Sequence, residues 1–371
     1  MNKFLLKNCI KNCISSKTKR HIVAFFVDDY GSVRTKDINA YERLKQMGVP
    51  MDTNRYSKFD TLASAEDLEM LFDVLTSVKD KNGRFACMTP FANIANPDFL
   101  RIKESGFSNY YRESFVDTLA RYGSKYDGVL ELWKQGIAAS IFRPEYHGTE
   151  HINIPLFMYY LQSGHQSSRM AFDNECVCVP PLQSEQPAIN VAKNSYYKDE
   201  SQIGILHDSI VCGIEMFNDI LGYHPTQFTP GASWYSDSIE KTLFDNGITC
   251  INTEHSKKKS VNRHTALGLR YTGQKNSIGI KYLIRNCVFE PYTIDCSRNE
   301  AVVANCLTQI NAAFLMKTPA IISSHRVNYV GELEPSHRND SLNQLKILLK
   351  EIVKRWPDVE FLNGTELGCV I

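Results

Sequence analysis

Short apolar segments alternate with longer amphipathic segments along most of the chain. The apolar ones have the length and composition of buried strands, and polar loops and stretches with helical spacing lie between them. Strands are predicted at residues 22–27, 84–88, 137–142, 226–229, 248–252, 282–289, 320–324 and 359–362. Helices are predicted at residues 64–79, 96–105, 114–135, 154–162, 201–221, 237–246, 298–316 and 341–355. This alternation predicts parallel strands joined by helical crossovers.

The number of strand–helix units decides between two architectures. Seven or eight units favour an irregular (β/α) barrel of parallel strands over an open, doubly wound sheet. A dinucleotide-binding sheet would also carry a GxGxxG turn after its first strand, and no such turn follows residue 27. We therefore predict an α/β fold of the irregular barrel type.

The chain is predicted to form a single domain over residues 21–371, preceded by a mobile basic leader at residues 1–20. Residues 163–201 interrupt the alternation of predicted strands and helices with a long polar segment that contains Pro180, Pro181 and Pro187. A loop of this length inside a compact domain is usually functional, so a lid or substrate-recognition loop is the preferred interpretation. The alternative is a disordered insertion.

Composition limits the classes of partner. The chain has 42 basic and 41 acidic residues, and this balance gives no basic surface of the kind that binds nucleic acid or acidic membranes. No run of about 18 apolar residues predicts a membrane span. The 11 cysteines are odd in number and several lie in apolar segments, so reduced thiols are expected rather than a disulfide framework. These features, with no signal sequence recognised, predict a cytoplasmic protein.

A pair of histidines gives the most specific chemical signal. His147 and His151 lie four residues apart, shortly after the predicted strand at 137–142. If this segment turns helically, both imidazoles leave one face and reach the same metal ion. Zinc and similar ions favour imidazole nitrogen and usually take a carboxylate as a further ligand. Asp28 and Asp29, directly after the first predicted strand, are candidates for that ligand.

Other polar side chains follow the ends of other predicted strands. In a (β/α) barrel these ends meet on one face, where active sites form. The sequence places Glu145 and Glu150 around the histidine pair, Trp234 after the fourth predicted strand and His325 after the seventh. Each residue alone has an ordinary structural explanation, such as a turn former or a buried histidine. Their common position at one rim favours a shared site.

The order and spacing of these motifs resemble the polysaccharide deacetylase family, the metal-dependent carbohydrate esterases related to chitin deacetylases. Residues 28–31 resemble that family's Asp-Asp-Gly turn with one inserted residue, and residues 147–151 match the spacing of its histidine pair. Residues 321–325 resemble its late strand that ends in histidine. Two positions depart from the pattern: Gly148 replaces a hydroxyl residue, and residues 228–231 lack the arginine of the third motif.

The resemblance implies a cofactor and a set of roles. Asp29, His147 and His151 would hold a divalent metal, zinc before nickel, cobalt or manganese. Asp28 would be the general base and His325 the general acid in removing N- or O-acetyl groups from a carbohydrate or glycoconjugate. A backbone N–H in residues 30–31 or 230–233 would help to stabilise the oxyanion. Tyr146 and Trp234 would stack on a sugar ring. Arg143 and Arg326 would contact the substrate and replace the missing arginine. Glu145 and Glu150 would orient the histidines.

Two alternatives remain open at this point. A metal-free glycosidase-type barrel would use two carboxylates about 5 to 9.5 Å apart, for example Asp28 with Glu145 or Glu290. A catalytically inactive carbohydrate-binding homologue would account for the missing arginine and for Gly148.

Overall fold

The computed structural model describes residues 3–185, 190–197, 200–258, 265–291 and 301–371. The predicted start of a helix at residue 298, and residues 186–189 and 198–199 of the predicted insertion, lie outside these ranges. Within them, no helix has both the length and the apolar character needed to cross a membrane. The ten cysteines in these ranges carry free thiols.

One large sheet organises the molecule. The described strands are β1 (Ile22–Tyr30), β2 (Met88–Ala92), β3 (Ala95–Pro97), β4 (Arg112–Ser114), β5 (Glu145–Tyr146), β6 (Gln227–Phe228), β7 (Cys250–Thr253), β8 (Ser256–Lys258), β9 (Thr265–Leu269), β10 (Lys281–Ile284), β11 (Cys287–Val288), β12 (Ala320–His325) and β13 (Glu360–Phe361). Nine of them form the sheet in the order β10-β7-β6-β5-β2-β1-β12-β11, with β13 beside β1, and neighbouring strands are parallel. Two antiparallel pairs, β3 with β4 and β8 with β9, lie outside it.

Helices connect the strands and cover the outer face of the sheet. Their bounds are α1 (Lys3–Lys11), α2 (Ile38–Gln46), α3 (Arg55–Phe59), α4 (Ala65–Leu75), α5 (Phe99–Glu104), α6 (Phe115–Tyr122), α7 (Val129–Ala138), α8 (Ile154–Gln162), α9 (Gln166–Asp173), α10 (Ile203–Leu221), α11 (Glu240–Asp245), α12 (Val302–Leu315), α13 (Pro335–Arg355) and α14 (Gly364–Val370). The predicted start of α4 is confirmed, because Ser64 and Asp67 form a reciprocal capping box.

The predicted irregular (β/α) barrel is confirmed. The sheet curls into a half-barrel with helices around it, and eight of its strands form the main path. The two strands at the ends of that path, β10 and β11, are separated by only Arg285 and Asn286. Asn286 bonds to the backbone of Ile321 in β12, so this short connection is tied into the sheet.

Both faces of the central strand β1 are buried, which explains its continuous apolar sequence. Alternate side chains such as Phe25 pack outwards against the helices, and those between them, such as Phe26, pack inside the curled sheet. Helix α14 covers the amino-terminal ends of the strands, where Gly364 N–H donates to Thr89 Oγ1 at 2.7 Å. The carboxyl ends of the strands are thereby left as the open end of the fold.

The strand predicted at residues 137–142 is wrong. Helix α7 continues to Ala138, the chain turns at Ser140 with φ 58°, and β5 begins only at Glu145. Ile141 and Phe142 are buried beside β2, where Phe142 forms an isolated parallel bridge with Met88, so the pairing of the predicted strand is reduced to this single bridge after the turn. The strand predicted at 84–88 likewise begins later, at Met88.

Residues 1–20 and 163–201 were predicted to be a leader and an insertion. Within the first range, α1 packs against α12, and Ser16 and Thr18 donate backbone hydrogen bonds to Thr272 and Lys317. The second range contains α9 and a loop whose described part packs on the body of the fold through Asn194. The carbonyl oxygen of Val191 accepts a hydrogen bond from Asn153 N–H at 2.6 Å.

We expect Gly31→Ala to destabilise the fold more than Gly83→Ala. Both glycines have positive φ, 79° and 77°, so alanine introduces the same backbone strain of about 1–2 kcal/mol at each. A Cβ at Gly31 would lie 2.1 Å from the carbonyl oxygen of Asn93, whereas one at Gly83 would meet nothing within 4 Å. Urea unfolding should show that Gly31→Ala lowers the free energy of unfolding by at least about 2 kcal/mol more. Equal losses would contradict this close approach.

Candidate active site

The site begins with a distortion at the end of β1. The register with β2 shifts between Val27 and Tyr30, and Asp29 adopts φ 78°. Successive strand residues normally face opposite sides, yet Asp28 and Asp29 both line the same cavity. A non-glycine residue in this conformation costs about 1–3 kcal/mol and persists only where its surroundings enforce it. The bulge therefore places two carboxylates together at the open end of the sheet.

The histidine pair lies on a bent loop rather than on a helix. Helix α8 starts only at Ile154, so the segment after His147 does not turn helically and the two histidines converge by another route. The chain bends at Gly148, with φ 103°, and a Cβ there would lie 2.4 Å from Asn194 Nδ2. That amide donates to the carbonyl oxygen of His147 at 2.7 Å. Gly148 is thus required by the bend and by the packing of the insertion, and the two imidazole centroids lie 4.9 Å apart.

Asp29, His147 and His151 form a compact cluster. The candidate ligand atoms all lie within 4.8 Å of one another, and Asp29 Oδ1 is 2.8 Å from His151 Nε2 and 3.4 Å from His147 Nε2. His147 Nδ1 donates to the carbonyl oxygen of Thr229 at 2.7 Å, which fixes the tautomer and leaves Nε2 as the lone-pair nitrogen. This Nε2 atom is buried without a hydrogen-bond partner in the described structure. One carboxylate, two imidazoles and an unsatisfied nitrogen fit a divalent metal ion.

The electrostatics of Asp29 agree with a ligand role. Burial alone would raise the pKa of its carboxyl group, but the charge of His151 and its hydrogen bond to Asp29 hold that pKa well below its usual range. Asp29 is therefore ionised at neutral pH, the state in which a carboxylate binds a metal.

Asp28 is held by an arginine that the sequence reasoning missed. Arg285 Nη1 and Nη2 donate to the two Asp28 oxygens at 2.6 and 2.5 Å, and Arg285 also reaches Thr229 Oγ1 at 3.2 Å. Burial would raise the pKa of Asp28, but the charge of Arg285 and of nearby histidines lowers it. Thr229 stands in the motif that lacks its arginine, so Arg285 supplies that charge from the connection between β10 and β11. The sequence signal that could have revealed Arg285 is its position as a charged residue within the apolar segment at residues 282–289.

His325 is paired on its far side with Glu290. It lies opposite Asp28 in the β1–β12 register, and its Nε2 is 3.8 Å from Asp28 Oδ2. Its Nδ1 donates to Glu290 Oε1 at 2.5 Å, while Arg55 donates to the other Glu290 oxygen at 2.6 Å. Burial would lower the pKa of His325, but the charge of Glu290 raises it to about 9. Burial would raise the pKa of Glu290, whereas His325 and Arg55 lower it to about 2.

Three predicted substrate contacts are not made as expected. Arg326 is fully buried, holds both oxygens of Asp60 at 3.0 and 2.9 Å, and cannot reach a substrate. Arg143 stacks on the ring of Tyr223 at 3.4 Å, away from the cavity lining. Tyr146 is fully buried and its hydroxyl pairs with a threonine of the histidine loop. The assignment of Arg326, Arg143 and Tyr146 as substrate-binding residues is therefore corrected. Neither arginine replaces the one that is missing at residues 228–231.

The remaining supporting residues also occupy other positions. Glu145 accepts hydrogen bonds from the β6 backbone and from Thr365 of α14, and Glu150 pairs with Arg112 at 2.8 Å. Neither carboxylate bonds to a histidine of the cluster, so their assignment as histidine-orienting groups is corrected: the carbonyl oxygen of Thr229 orients His147. Trp234 packs edge-on to Tyr196, with centroids 6.1 Å apart, and is not among the residues that line the cavity.

The cavity at this end of the sheet has a volume of about 460 Å³. Both aspartates, both histidines of the cluster, Arg285 and His325 line it. Further lining comes from strand ends and loops that the sequence reasoning did not single out: Arg34, Tyr56, Asn252, Glu254 and His255. Val177, Asn190 and Ala192 of the predicted insertion also line it. The volume is in the range of small-ligand sites.

Comparison with known proteins gives one partial family match and several distant structures. The model of glycosyl hydrolase family 57 matches residues 206–291. No curated protein sequence matches the chain. The solved structures include a protein assigned as a polysaccharide deacetylase from Mycobacterium smegmatis, 12% identical with a TM-score of 0.46 over 96% of this chain and 92% of that one.

Two further structures have comparable similarity. A protein assigned as a polysaccharide deacetylase from Pseudomonas aeruginosa PAO1 is 10% identical, with a TM-score of 0.47 over 95% of this chain and 91% of that one. The PuuE allantoinase is 11% identical, with a TM-score of 0.46 over 95% and 90% of the two chains.

We expect the purified chain to bind one zinc ion at the Asp29–His147–His151 cluster. His147→Ala removes the buried, unsatisfied nitrogen and should weaken zinc binding at least 100-fold, as measured by competition with a chromophoric chelator. His207→Ala is the matched control, because His207 bonds to Thr242 and does not line the cavity. Unchanged zinc affinity in His147→Ala would contradict the site.

Proposed function

We propose that this chain is a metal-dependent hydrolase that removes acetyl groups from a carbohydrate or glycoconjugate. The supporting observation is the arrangement of three functions around one cavity. A metal-compatible cluster lies beside a carboxylate held ionised by Arg285 and beside a histidine held protonated by Glu290. Cleavage of an amide or ester by water requires these three functions: an electrophilic activator, a base and an acid.

Asp29, His147 and His151 would hold the metal. Two imidazoles and one carboxylate favour zinc, with nickel, cobalt and manganese as alternatives. A divalent ion bound there supplies a Lewis acid for the acyl oxygen and lowers the pKa of bound water from 15.7 to roughly 7.

Asp28 is the group that would accept the proton of the attacking water. Its lowered pKa keeps it ionised, and the two hydrogen bonds from Arg285 fix its plane at the cavity wall. The arginine therefore orients the base and balances its charge, the role that the third motif serves in the family the sequence resembles.

His325 would donate a proton from Nε2 to the departing amine or alcohol. Glu290 holds the opposite nitrogen and keeps the ring charged at neutral pH. The oxyanion donor is assigned to the turn at residues 230–233, since this turn lines the cavity whereas Gly31 packs against Asn93. In that turn, Gly231 N–H donates to Asn194 and Ser233 N–H to the carbonyl oxygen of Pro230, which leaves Ala232 N–H for the substrate.

A carbohydrate substrate is supported by the size and lining of the cavity and by the motif resemblance. Hydroxyl and amide side chains of Thr229, Asn252 and Ser323 line it, and the ring of Tyr56 supplies an apolar face. A volume of about 460 Å³ accommodates a sugar ring with its acetyl group. The free thiols are compatible with the reducing cytoplasm as its location.

Glycoside hydrolysis is the second candidate, favoured by the family 57 match at residues 206–291. A glycosidase needs one protonated carboxyl group as its acid. Glu145 does not line the cavity, and the pKa values of Asp28 and Glu290 are both lowered, so neither suggested pair supplies that acid at neutral pH. The presence of Arg285 also removes the main reason for assigning an inactive homologue.

Acetate release from a panel of N- and O-acetylated sugars tests the proposed reaction. Asp28→Asn should keep zinc bound but lower kcat at least 100-fold, because the base is lost while the cluster remains. The matched control is Asp208→Asn, at an exposed position of α10. Release of reducing sugar without acetate would favour glycoside hydrolysis instead, and full acetate release by Asp28→Asn would exclude Asp28 as the base.

The pH dependence tests the pairing of His325 with Glu290. The acid must be protonated, so activity should be present at neutral pH and fall as pH rises through about 9, the pKa of His325. Glu290→Gln removes the charge that raises this pKa, and the alkaline limb of kcat/KM should move to lower pH by at least one unit. Glu351→Gln, which alters a surface ion pair on α13, should leave the limb in place. An unshifted limb in Glu290→Gln would show that another group titrates.

A further inference from the structure

Arg34 is a cavity-lining arginine that the proposed chemistry leaves unused. It lies in the loop after β1, and its side chain is half-buried. Its Nε atom is buried with no hydrogen-bond partner, and no ion pair joins its guanidinium group to another residue of the described ranges. Burying a charged N–H donor without a partner is unfavourable unless a ligand supplies the acceptor.

The backbone around Arg34 is fixed before any ligand binds. Its carbonyl oxygen accepts a hydrogen bond from Val177 N–H at 2.9 Å. The preceding residue, Val33, donates its N–H to Asn96 Oδ1 at 2.7 Å. The guanidinium carbon lies 5.5 Å from the centroid of the Tyr56 ring. The direction of the side chain is therefore restrained by both the loop and its aromatic neighbour.

The other strong cations around the cavity already have carboxylate partners. The pairs are Arg285 with Asp28, His325 with Glu290, and Arg326 with Asp60. Asp29 is the carboxylate assigned to the metal. Among the described arginines of the cavity, Arg34 is the one that contacts no carboxylate. The nearby Asp60 carboxylate, on which its charge acts, is already held by Arg326, so a contacting counter-charge is expected from the ligand.

Arg34 also lies where the cavity meets a second compartment of about 360 Å³. Arg34, Tyr56, Val177 and Asn190 line both spaces. The second compartment continues beneath α8 and α9, where Tyr160 and His165 contribute to its walls. A substrate longer than one sugar could therefore extend from the metal cluster past Arg34.

We propose that Arg34 binds an anionic group of the substrate, a carboxylate, phosphate or sulfate, at the junction of the two compartments. The planar guanidinium group presents parallel N–H donors that match such oxyanions. A neutral sugar hydroxyl could accept one hydrogen bond but would leave the charge uncompensated. The inference rests on the proposed function for the acetylated sugar as ligand class, but its test does not require turnover.

Calorimetric titration of the zinc-loaded chain tests this inference. The His325→Gln background slows turnover of these amides and leaves Asp28 paired with Arg285, and the probes are N-acetylmuramic acid, N-acetylglucosamine 6-phosphate and N-acetylglucosamine 6-sulfate, each compared with N-acetylglucosamine. At least one anionic probe should bind at least tenfold more tightly than the neutral sugar, as expected for charge-assisted hydrogen bonds. Arg34→Gln should reduce that ratio to about one. Arg101→Gln, a surface arginine over Tyr111, should preserve it.

Each outcome is decisive for Arg34. If no anionic probe binds more tightly than N-acetylglucosamine, the anion site is overturned. If Arg34→Gln keeps the preference, the anion is bound elsewhere, for example by the metal, and the assignment to Arg34 is wrong. Failure to release acetate in the separate activity assay would contradict the proposed function without affecting this comparison.

Discussion

The bidentate pair between Arg285 and Asp28 is the interaction on which the rest of the site depends. Asp28 and Asp29 are adjacent, buried carboxylates, and their desolvation and mutual repulsion would otherwise favour a protonated form. Arg285 neutralises the first, which leaves the second to the two histidines. Because Arg285 lies in the connection between β10 and β11, the same pair also ties the ends of the curled sheet to its central strand.

The surrounding structure keeps the two proton-transfer groups in opposite states. Arg285 lowers the pKa of Asp28, whereas Glu290 raises that of His325 to about 9, although the two groups are partners in the β1–β12 register. A base and an acid can thus act from neighbouring strands at one pH, because each has its own buried counter-charge. The strained conformation of Asp29 lets both carboxylates face the cavity from consecutive positions.

Sequence reasoning could predict the components that depend on local pattern. The alternation of strands and helices predicted the curled parallel sheet, and the strand ends predicted the convergence of Asp29, His147, His151 and His325 at one cavity. It missed Arg285, which bonds to Asp28 across 257 positions, because the segment around this arginine was interpreted as one continuous strand. Arg326 shows the converse: adjacency to His325 suggested the cavity, but a fully buried pair with Asp60 holds it in the core.

The central claim is that hydrolysis of an acetyl group depends on a metal ion held by the Asp29–His147–His151 cluster. The most direct measurement is a zinc titration of the metal-free chain in which bound zinc and acetate release are followed together. The account predicts that activity is absent without metal, rises in proportion to bound zinc and saturates at one equivalent per chain. Full acetate release by the chelator-treated, metal-free chain would contradict it.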